Sequence, residues 1–311
     1  MKGIVLKVIV LLAVVVQMDG VFRFMFEKHI FQRTLSGERA GSLNYLIQKK
    51  QHSAFIVMGS SRAKNHIDPA QLTHLKGTGY NAAINGAGAL LYNSVLLELM
   101  LSNHVKPNTI LLQTDVNNFS TDAPESHISE LTPLYPYYQQ SYFMQHYIKS
   151  LRMDEHVKLY SSMYRFNGKA MNILFNYLKR NSVTENNGYM PLFESMDTMG
   201  EPFTAYSSNT VIEFSKIKLE AMKNIIQLCS HNDIRLIIVL PPSYNNVIYG
   251  SKDIVHLKST LKNISDRIRV IDMGDVKKFT DLEGAENWKD ELHLNAIGAK
   301  KFSIYLNDSL K

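Results

Sequence analysis

The chain has very little cysteine and no block of like charge, and each shortage excludes particular kinds of site or partner. Its single cysteine, Cys229, excludes an intramolecular disulfide framework and a zinc site built on cysteines. The 34 Lys and Arg residues are scattered among 28 Asp and Glu residues, so the net charge of +6 forms no basic cluster. We therefore expect no nucleic-acid partner and interpret the charge as mild attraction to anionic surfaces.

Metal-ligand spacing is also missing from the histidines. Six of them fit no ligand pattern and are expected at the surface or at interfaces: His66, His74, His104, His127, His146 and His156. The sequence therefore predicts neither a metal nor a cofactor.

The longest apolar run stands at the N-terminus, where IVLKVIVLLAVVVQM follows Met1-Lys2-Gly3. A cleaved signal peptide has an apolar region of this size, but no small-x-small site follows it. A buried helix or strand is a second alternative. Residues 4–26 supply the length of a membrane span if Lys7 snorkels and Asp19 sits near the far interface. We predict a signal anchor over residues 1–26 with the rest of the chain extracytoplasmic.

The pattern after the anchor predicts an α/β domain. Residues 27–52 resemble a polar, helix-leaning stem, and residues 53–311 form the main domain. Five short β-rich runs alternate there with helical patterns, at 54–58, 80–84, 109–115, 234–242 and 267–273. Continuous apolar strands separated by helices predict a parallel five-stranded sheet buried on both faces, in a three-layer α/β/α, flavodoxin-like fold. The active site of such a sheet lies beyond the carboxyl ends of its strands.

One long segment breaks the alternation. Residues 119–210 are too many for a loop, rich in tyrosine and proline at first and then helical in pattern. We predict a helical insertion beside the active edge, serving as a lid, a substrate wall or a partner surface, and a plain structural cap fits equally well.

Two turns carry residues that suit catalysis. The first strand ends at Gly59, and Ser61 follows where a helix begins, among free backbone N–H groups. Turn and helix-capping chemistry alone also explains such a Gly-Ser-Ser. Near the C-terminus, Asp290 and His293 stand three apart before the last helix, so the carboxylate can orient the imidazole. Both turns belong to one sheet edge, and their coincidence favours a Ser-His-Asp triad.

These motifs resemble the SGNH (GDSL-like) hydrolases and acyltransferases. Gly59-Ser60-Ser61 matches the first block, with Ser61 as nucleophile, and Asp-x-x-His matches Asp290 and His293. YNAAINGAG is similar to the second block, which implies that the N–H of Gly86 helps to form the oxyanion hole. In the third block, Asn117 matches the oxyanion asparagine, while the block's glycine and terminal aspartate are absent. The resemblance says nothing specific about the insertion.

The resemblance implies an activity and a setting. Gly-Ser-Ser in place of Gly-Asp-Ser is typical of membrane-anchored members, which acylate cell-wall and exopolysaccharide glycans beside a multi-pass membrane-bound O-acyltransferase. We expect a serine esterase or O-acyltransferase that forms an acyl-Ser61 intermediate. Arg62 is a candidate for binding an anionic substrate, or it covers a helix edge with its stem. A non-catalytic glycan-binding or scaffold subunit remains the alternative.

Overall fold

The computed structural model describes residues 2–35, 40–49, 53–86, 89–121, 130–151, 153–179, 187–196, 212–244, 251–266 and 268–311. Its centre is a five-stranded sheet: β1 (Phe55–Met58), β2 (Gly79–Asn81), β3 (Thr109–Gln113), β4 (Arg235–Leu240) and β5 (Arg269–Asp272). All four pairings are parallel, and the spatial order is β2-β1-β3-β4-β5. The predicted flavodoxin-like sheet is confirmed, with strands one to three residues shorter than the apolar runs.

Helices cover the sheet and extend beyond it. The α-helices of the described residues are α1 (Lys2–Phe22), α2 (Ala40–Lys49), α3 (Ser61–His66), α4 (Ala89–Ser102), α5 (Val116–Phe119), α6 (Tyr142–Lys149), α7 (Met153–Tyr160), α8 (Ser162–Arg165), α9 (Ala170–Lys179), α10 (Lys216–His231), α11 (Ser251–Ile264) and α12 (Ala296–Asp308). A π-helical turn (Arg23–Lys28) continues α1, and short 3₁₀ turns run over Phe31–Arg33, Pro69–Gln71, Thr132–Gln140, Val276–Lys278, Thr280–Leu282 and Ala285–Asn287.

Two hydrophobic clusters lie on the two sides of the sheet. One gathers alternate residues of β1 and β3 with α4 and α10, and the other gathers the remaining strand residues with α3 and α12. Every described residue of β1 and β3 is buried, as a parallel sheet covered on both faces requires. The three-layer α/β/α architecture is therefore present.

The N-terminal helix carries a long run of apolar side chains that face outward. α1 is long and apolar enough to cross a membrane, and its apolar residues from Ile4 to Met18 are exposed. The segment predicted as a stem packs into the core instead of standing apart, since Phe31, Leu43 and Leu46 are fully buried. Residues 36–39 and 50–52 of that segment lie outside the described residues.

The described residues 130–179 of the insertion are mostly helical, whereas residues 187–196 are irregular. The 3₁₀ turn at Thr132–Gln140 and helices α6 to α9 pack against the outer end of α4 and against residues 23–33. Glu98 of α4 accepts hydrogen bonds from Ser141 Oγ and Phe143 N, which fixes the start of α6 to the main domain. Residues 122–129, 152, 180–186 and 197–210 of the predicted insertion lie outside the described residues.

Candidate active site

Ser61 is the first residue of α3, directly beyond the carboxyl end of β1. Gly59 turns the chain there with a φ of 145°, and a Cβ at that position would press on Ala63 and Gln113. Only glycine satisfies both the angle and the close approach. The turn leaves the Ser61 hydroxyl half-buried at the sheet edge, next to first-turn N–H groups that have no acceptor within the helix.

The two turns identified in the sequence meet in space. Ser61 Oγ lies 2.8 Å from His293 Nε2. On the other side of the ring, His293 Nδ1 lies 2.8 Å and 2.9 Å from the two carboxylate oxygens of Asp290. The three side chains thus form one continuous hydrogen-bonded chain across 232 residues of sequence separation.

The protonation states follow from this geometry. Burial raises the pKa of Asp290, but hydrogen bonds from the His293 ring and from the backbone N–H groups of Leu292 and His293 outweigh it and hold the pKa below its ordinary value. An ionised carboxylate can only accept, so His293 Nδ1 carries the ring proton and donates it. The lone pair of Nε2 then faces Ser61 Oγ and can take its proton.

A compact loop supports the acid–base pair. Trp288 and Leu294 form an antiparallel bridge at its base, and Lys289 N donates to His293 O at 2.8 Å. Trp288 is fully buried, and its indole N–H donates to Leu282 O at 2.7 Å. Trp288 therefore packs beneath the loop and braces it. Asn295 caps α12 by accepting from two first-turn N–H groups.

Ser60 belongs to a buried network that the sequence did not reveal. Its N–H and its hydroxyl both donate to Gln113 Oε1, at 3.0 and 2.8 Å. Gln113 is the last residue of β3, and its amide nitrogen lies 3.4 Å from Asp115. Ser60 thus ties the nucleophile turn to the neighbouring strand, which fixes where Ser61 points.

Arg62 completes that network from the opposite side. Its guanidinium lies 3.0 Å from the Asp115 carboxylate and donates to the carbonyl oxygens of Pro241 and Pro242. Arg62 is 3% exposed. The geometry gives no support to the substrate-binding candidacy of Arg62, because the guanidinium is turned inward to join the ends of β1, β3 and β4.

His66, expected at the surface, is instead fully buried behind the triad. Its Nε2 accepts the backbone N–H of Leu294 at 3.0 Å, and its ring lies 6.2 Å from that of His293. Burial, followed by the charges of Arg62 and His293, lowers the pKa of His66 well below its ordinary value. A neutral His66 therefore positions Leu294, the residue that follows His293. The spacing of histidines in the sequence does not predict this contact.

Gly86 lies in the loop after β2, which runs beside the nucleophile turn because Ile84 N donates to Gly59 O at 3.2 Å. Its φ is 134°, as glycine permits. A carboxylate oxygen of Glu130, a buried residue at the start of the described insertion, occupies the space of a Gly86 Cβ. The insertion thus reaches the loop that carries the predicted oxyanion donor.

Asn117 lies on the short helix α5, four residues beyond β3 and exposed to solvent. The neighbouring Asn118 is turned inward instead, where its side chain and that of Asp115 form a capping box. Asn117 is therefore at the correct end of the sheet, and its oxyanion role stays a prediction.

The last described stretch of the insertion, residues 187–196, links the two catalytic turns. Met190 N donates to Lys64 O of α3, and Met196 N donates to Trp288 O of the acid–base loop, at 3.1 and 2.7 Å. Leu192 O accepts from Ala296 N at the start of α12. This strap was missed in the sequence because its contacts are made by backbone atoms, which any residue supplies.

A cavity of about 260 Å³ opens at the same end of the sheet. Its lining includes Asp115, Pro241 and Asp272 from the ends of three strands, together with apolar residues of α11. Pro241, which directly follows β4, thus shapes a wall there. Ser61 and His293 are not part of the described lining, and Asp115 connects the cavity to the nucleophile turn through its ion pair with Arg62.

Comparisons with known proteins add little to this geometry. No protein-family model matches the chain, and no curated protein matches it. A solved structure described as "a putative platelet activating factor from Streptococcus pneumonia" is similar at 13% sequence identity and a TM-score of 0.43, covering 94% of this chain and 97% of that chain. The likeness is distant, and the functional argument rests on the site itself.

Proposed function

We propose that this protein is a membrane-anchored serine esterase or O-acyltransferase that acts on an extracytoplasmic glycan through an acyl-Ser61 intermediate. The observation that carries the proposal is the continuous contact from Ser61 through His293 to Asp290. The exposed apolar α1 supports the anchor, because one helix of this length can span a bilayer. A multi-pass membrane-bound O-acyltransferase is the partner that the family resemblance implies.

The first half-reaction begins at the Ser61 hydroxyl. His293 Nε2 takes the hydroxyl proton while Oγ attacks the acyl carbonyl, and Asp290 stabilises the resulting imidazolium. We assign the oxyanion to the N–H groups of Ser61 and Gly86 and to the Asn117 amide. His293 then returns the proton to the departing oxygen as the bond from the acyl carbon to that oxygen breaks.

The second half-reaction reverses these roles. A glycan hydroxyl or a water gives its proton to His293 and attacks the acyl-Ser61 carbonyl. The ester bond to Oγ breaks, and His293 returns the proton to Ser61. A glycan acceptor makes the enzyme a transferase, and water makes it an esterase.

The test is labelling of the full chain with a fluorophosphonate probe, followed by mass spectrometry of the modified peptide. We expect one adduct, on Ser61, and loss of labelling and of acetyl-ester turnover in Ser61→Ala and in His293→Ala. Ser230 is an exposed serine near the end of α10, so Ser230→Ala is the matched control and should label normally. A Ser61→Ala protein with full turnover would overturn the proposal.

A non-catalytic scaffold is the second candidate, and one observation favours it. The Glu130 carboxylate packs on Gly86, where negative charge opposes a developing oxyanion. A folded chain that neither labels nor turns over acetyl esters, but co-purifies with the multi-pass acyltransferase, would establish this alternative.

A further inference from the structure

The end of α1 is built into the insertion, although a simple tether needs no such contact. Asp19 accepts the backbone N–H groups of Ser162 and Met163, at 3.0 and 2.8 Å, and the Ser161 hydroxyl at 2.8 Å. Its carboxylate therefore holds the first turn of α8. Arg23, one turn further on, donates to Ser162 Oγ and to Tyr160 O.

A buried ion pair reinforces this attachment. Arg165 lies 2.7 Å from Glu27, and their side chains are 3% and 11% exposed. The remaining Arg165 nitrogens donate to the carbonyl oxygens of Lys158 and Leu159 at 2.7 and 2.6 Å. Phe166 packs against Phe22, Phe26 and Phe31. α7 and α8 are thus fixed at the level where α1 leaves the membrane.

The apolar surface of the N-terminal helix continues past Asp19 into the π-helical turn. Side chains of this kind contact lipid where α1 spans a bilayer. Val21, Phe24 and Met25 lie beyond Asp19 and remain 58%, 57% and 61% exposed. The neighbouring α7 and α8 therefore lie within the membrane–water boundary and not above it.

The side chains of α7 and α8 fit that position. Met153, Val157 and Tyr160 are spaced i, i+4 and i+7 on α7 and are 78%, 45% and 77% exposed. Met163 and Tyr164 of α8 are exposed by 44% and 45%. Tyrosine is enriched at membrane interfaces because its ring suits lipid and its hydroxyl suits water.

We propose that these five residues, Met153, Val157, Tyr160, Met163 and Tyr164, form a face that is seated in the lipid interface of the membrane crossed by α1. The insertion then serves as a membrane foot, and the chain is held in one orientation instead of swinging on its anchor. The proposal rests on the spanning role of α1 but is independent of the catalytic role of Ser61.

The test uses the full chain in phosphatidylcholine nanodiscs, with single cysteines introduced as Tyr160→Cys or Met163→Cys and labelled with an environment-sensitive fluorophore. The native Cys229 is buried, and burial raises the pKa of its thiol to about 12, so it should not compete for label. Val10→Cys in α1 reports the span itself. Val255→Cys, 65% exposed on α11, is the aqueous control.

We expect lipids that carry a shallow spin label to quench position 10 weakly but positions 160 and 163 strongly, with aqueous iodide quenching only position 255. Deep spin labels should quench position 10 most. If position 10 is quenched by lipid while positions 160 and 163 respond to iodide, the foot is refuted and the anchor stands, and a protein partner becomes the better occupant. If position 10 itself responds to iodide, the anchor and the foot both fail.

Discussion

Two clusters of polar side chains, the anchor junction and the catalytic edge, use carboxylates in opposite ways. At the junction, the carboxylates of Asp19 and Glu27 accept hydrogen bonds from backbone N–H groups and hydroxyls, and Glu27 also pairs with a buried guanidinium. At the catalytic edge, Asp290 holds one side chain among the described residues, His293, whose other nitrogen faces a half-buried hydroxyl. The first cluster is closed and structural, whereas the second leaves one acceptor available for proton transfer.

The largest effect should come from Asp290→Asn. A neutral amide can accept from His293 Nδ1 but carries no negative charge to stabilise the imidazolium, so we expect kcat to fall by about 10⁴-fold with the fold intact. Acetyl-ester turnover measures the fall in kcat, and the thermal midpoint shows whether the fold is intact. Asp308→Asn, on the exposed end of α12, is the control and should change neither. Turnover within tenfold of the native rate would show that Asp290 is not part of the mechanism.

The same variant also checks the pKa of Asp290. Because the folded pKa lies below the ordinary value of 3.8, the ionised form stabilises the fold above about that pH, and this contribution disappears as the pH falls through the folded pKa. The difference in thermal midpoint between the native chain and Asp290→Asn should therefore be present at pH 7 and shrink as the pH falls below about 3.8. A difference that grows on acidification contradicts the assignment.

Breaking the junction should affect stability and leave the chemistry alone. Arg165→Met leaves Glu27 as an uncompensated buried charge and should cost about 3–5 kcal/mol. The double variant with Glu27→Leu should recover much of that loss, because no charge then remains unpaired. Denaturant titration of the full chain in detergent gives both values, and fluorophosphonate labelling of the folded fraction should stay normal. A single-variant cost below about 1 kcal/mol would show that the junction is solvated.

His66 tests the support behind the triad. His66→Leu removes the acceptor of the Leu294 N–H and should lower kcat about tenfold with little change in KM, since a misplaced His293 loses orientation. His66→Gln keeps an acceptor near Nε2 and should restore most of the rate. Equal rates in the two variants would make the contact irrelevant to catalysis.

The lowered pKa of His66 also predicts the direction in which the free energy of unfolding changes with pH. The folded state resists protonation while the unfolded chain binds a proton below about pH 6.5, so the free energy of unfolding should decline as the pH falls below that value. His66→Gln should lack this part of the decline.

The smallest effect should come from the exposed pair of Lys289 and Glu194, 2.8 Å apart with side chains 30% and 61% exposed. Donation of a hydrogen bond to the Glu194 carboxylate raises the pKa of Lys289, yet water screens the pair. Glu194→Gln should change the free energy of unfolding by less than about 0.5 kcal/mol. A change comparable to that of Arg165→Met would show that the exposed pair stabilises the fold as much as the buried pair does.

The sequence by itself determined the doubly wound sheet, the outward-facing apolar α1 and the residues that meet in the triad. These features depend on local patterns: the period of apolar residues, Gly59 at a sharp turn and Asp290 three residues from His293. The rule that parallel strands end at one edge then brought the two turns together.

Only the tertiary structure decided the supporting contacts. The roles of Gln113, His66 and Arg62 arise from partners 53, 228 and up to 180 residues away in the chain. The docking of Asp19 on α8 is of the same kind. A buried polar group must find a partner wherever folding places one, and the identity of that partner is a property of packing and not of spacing.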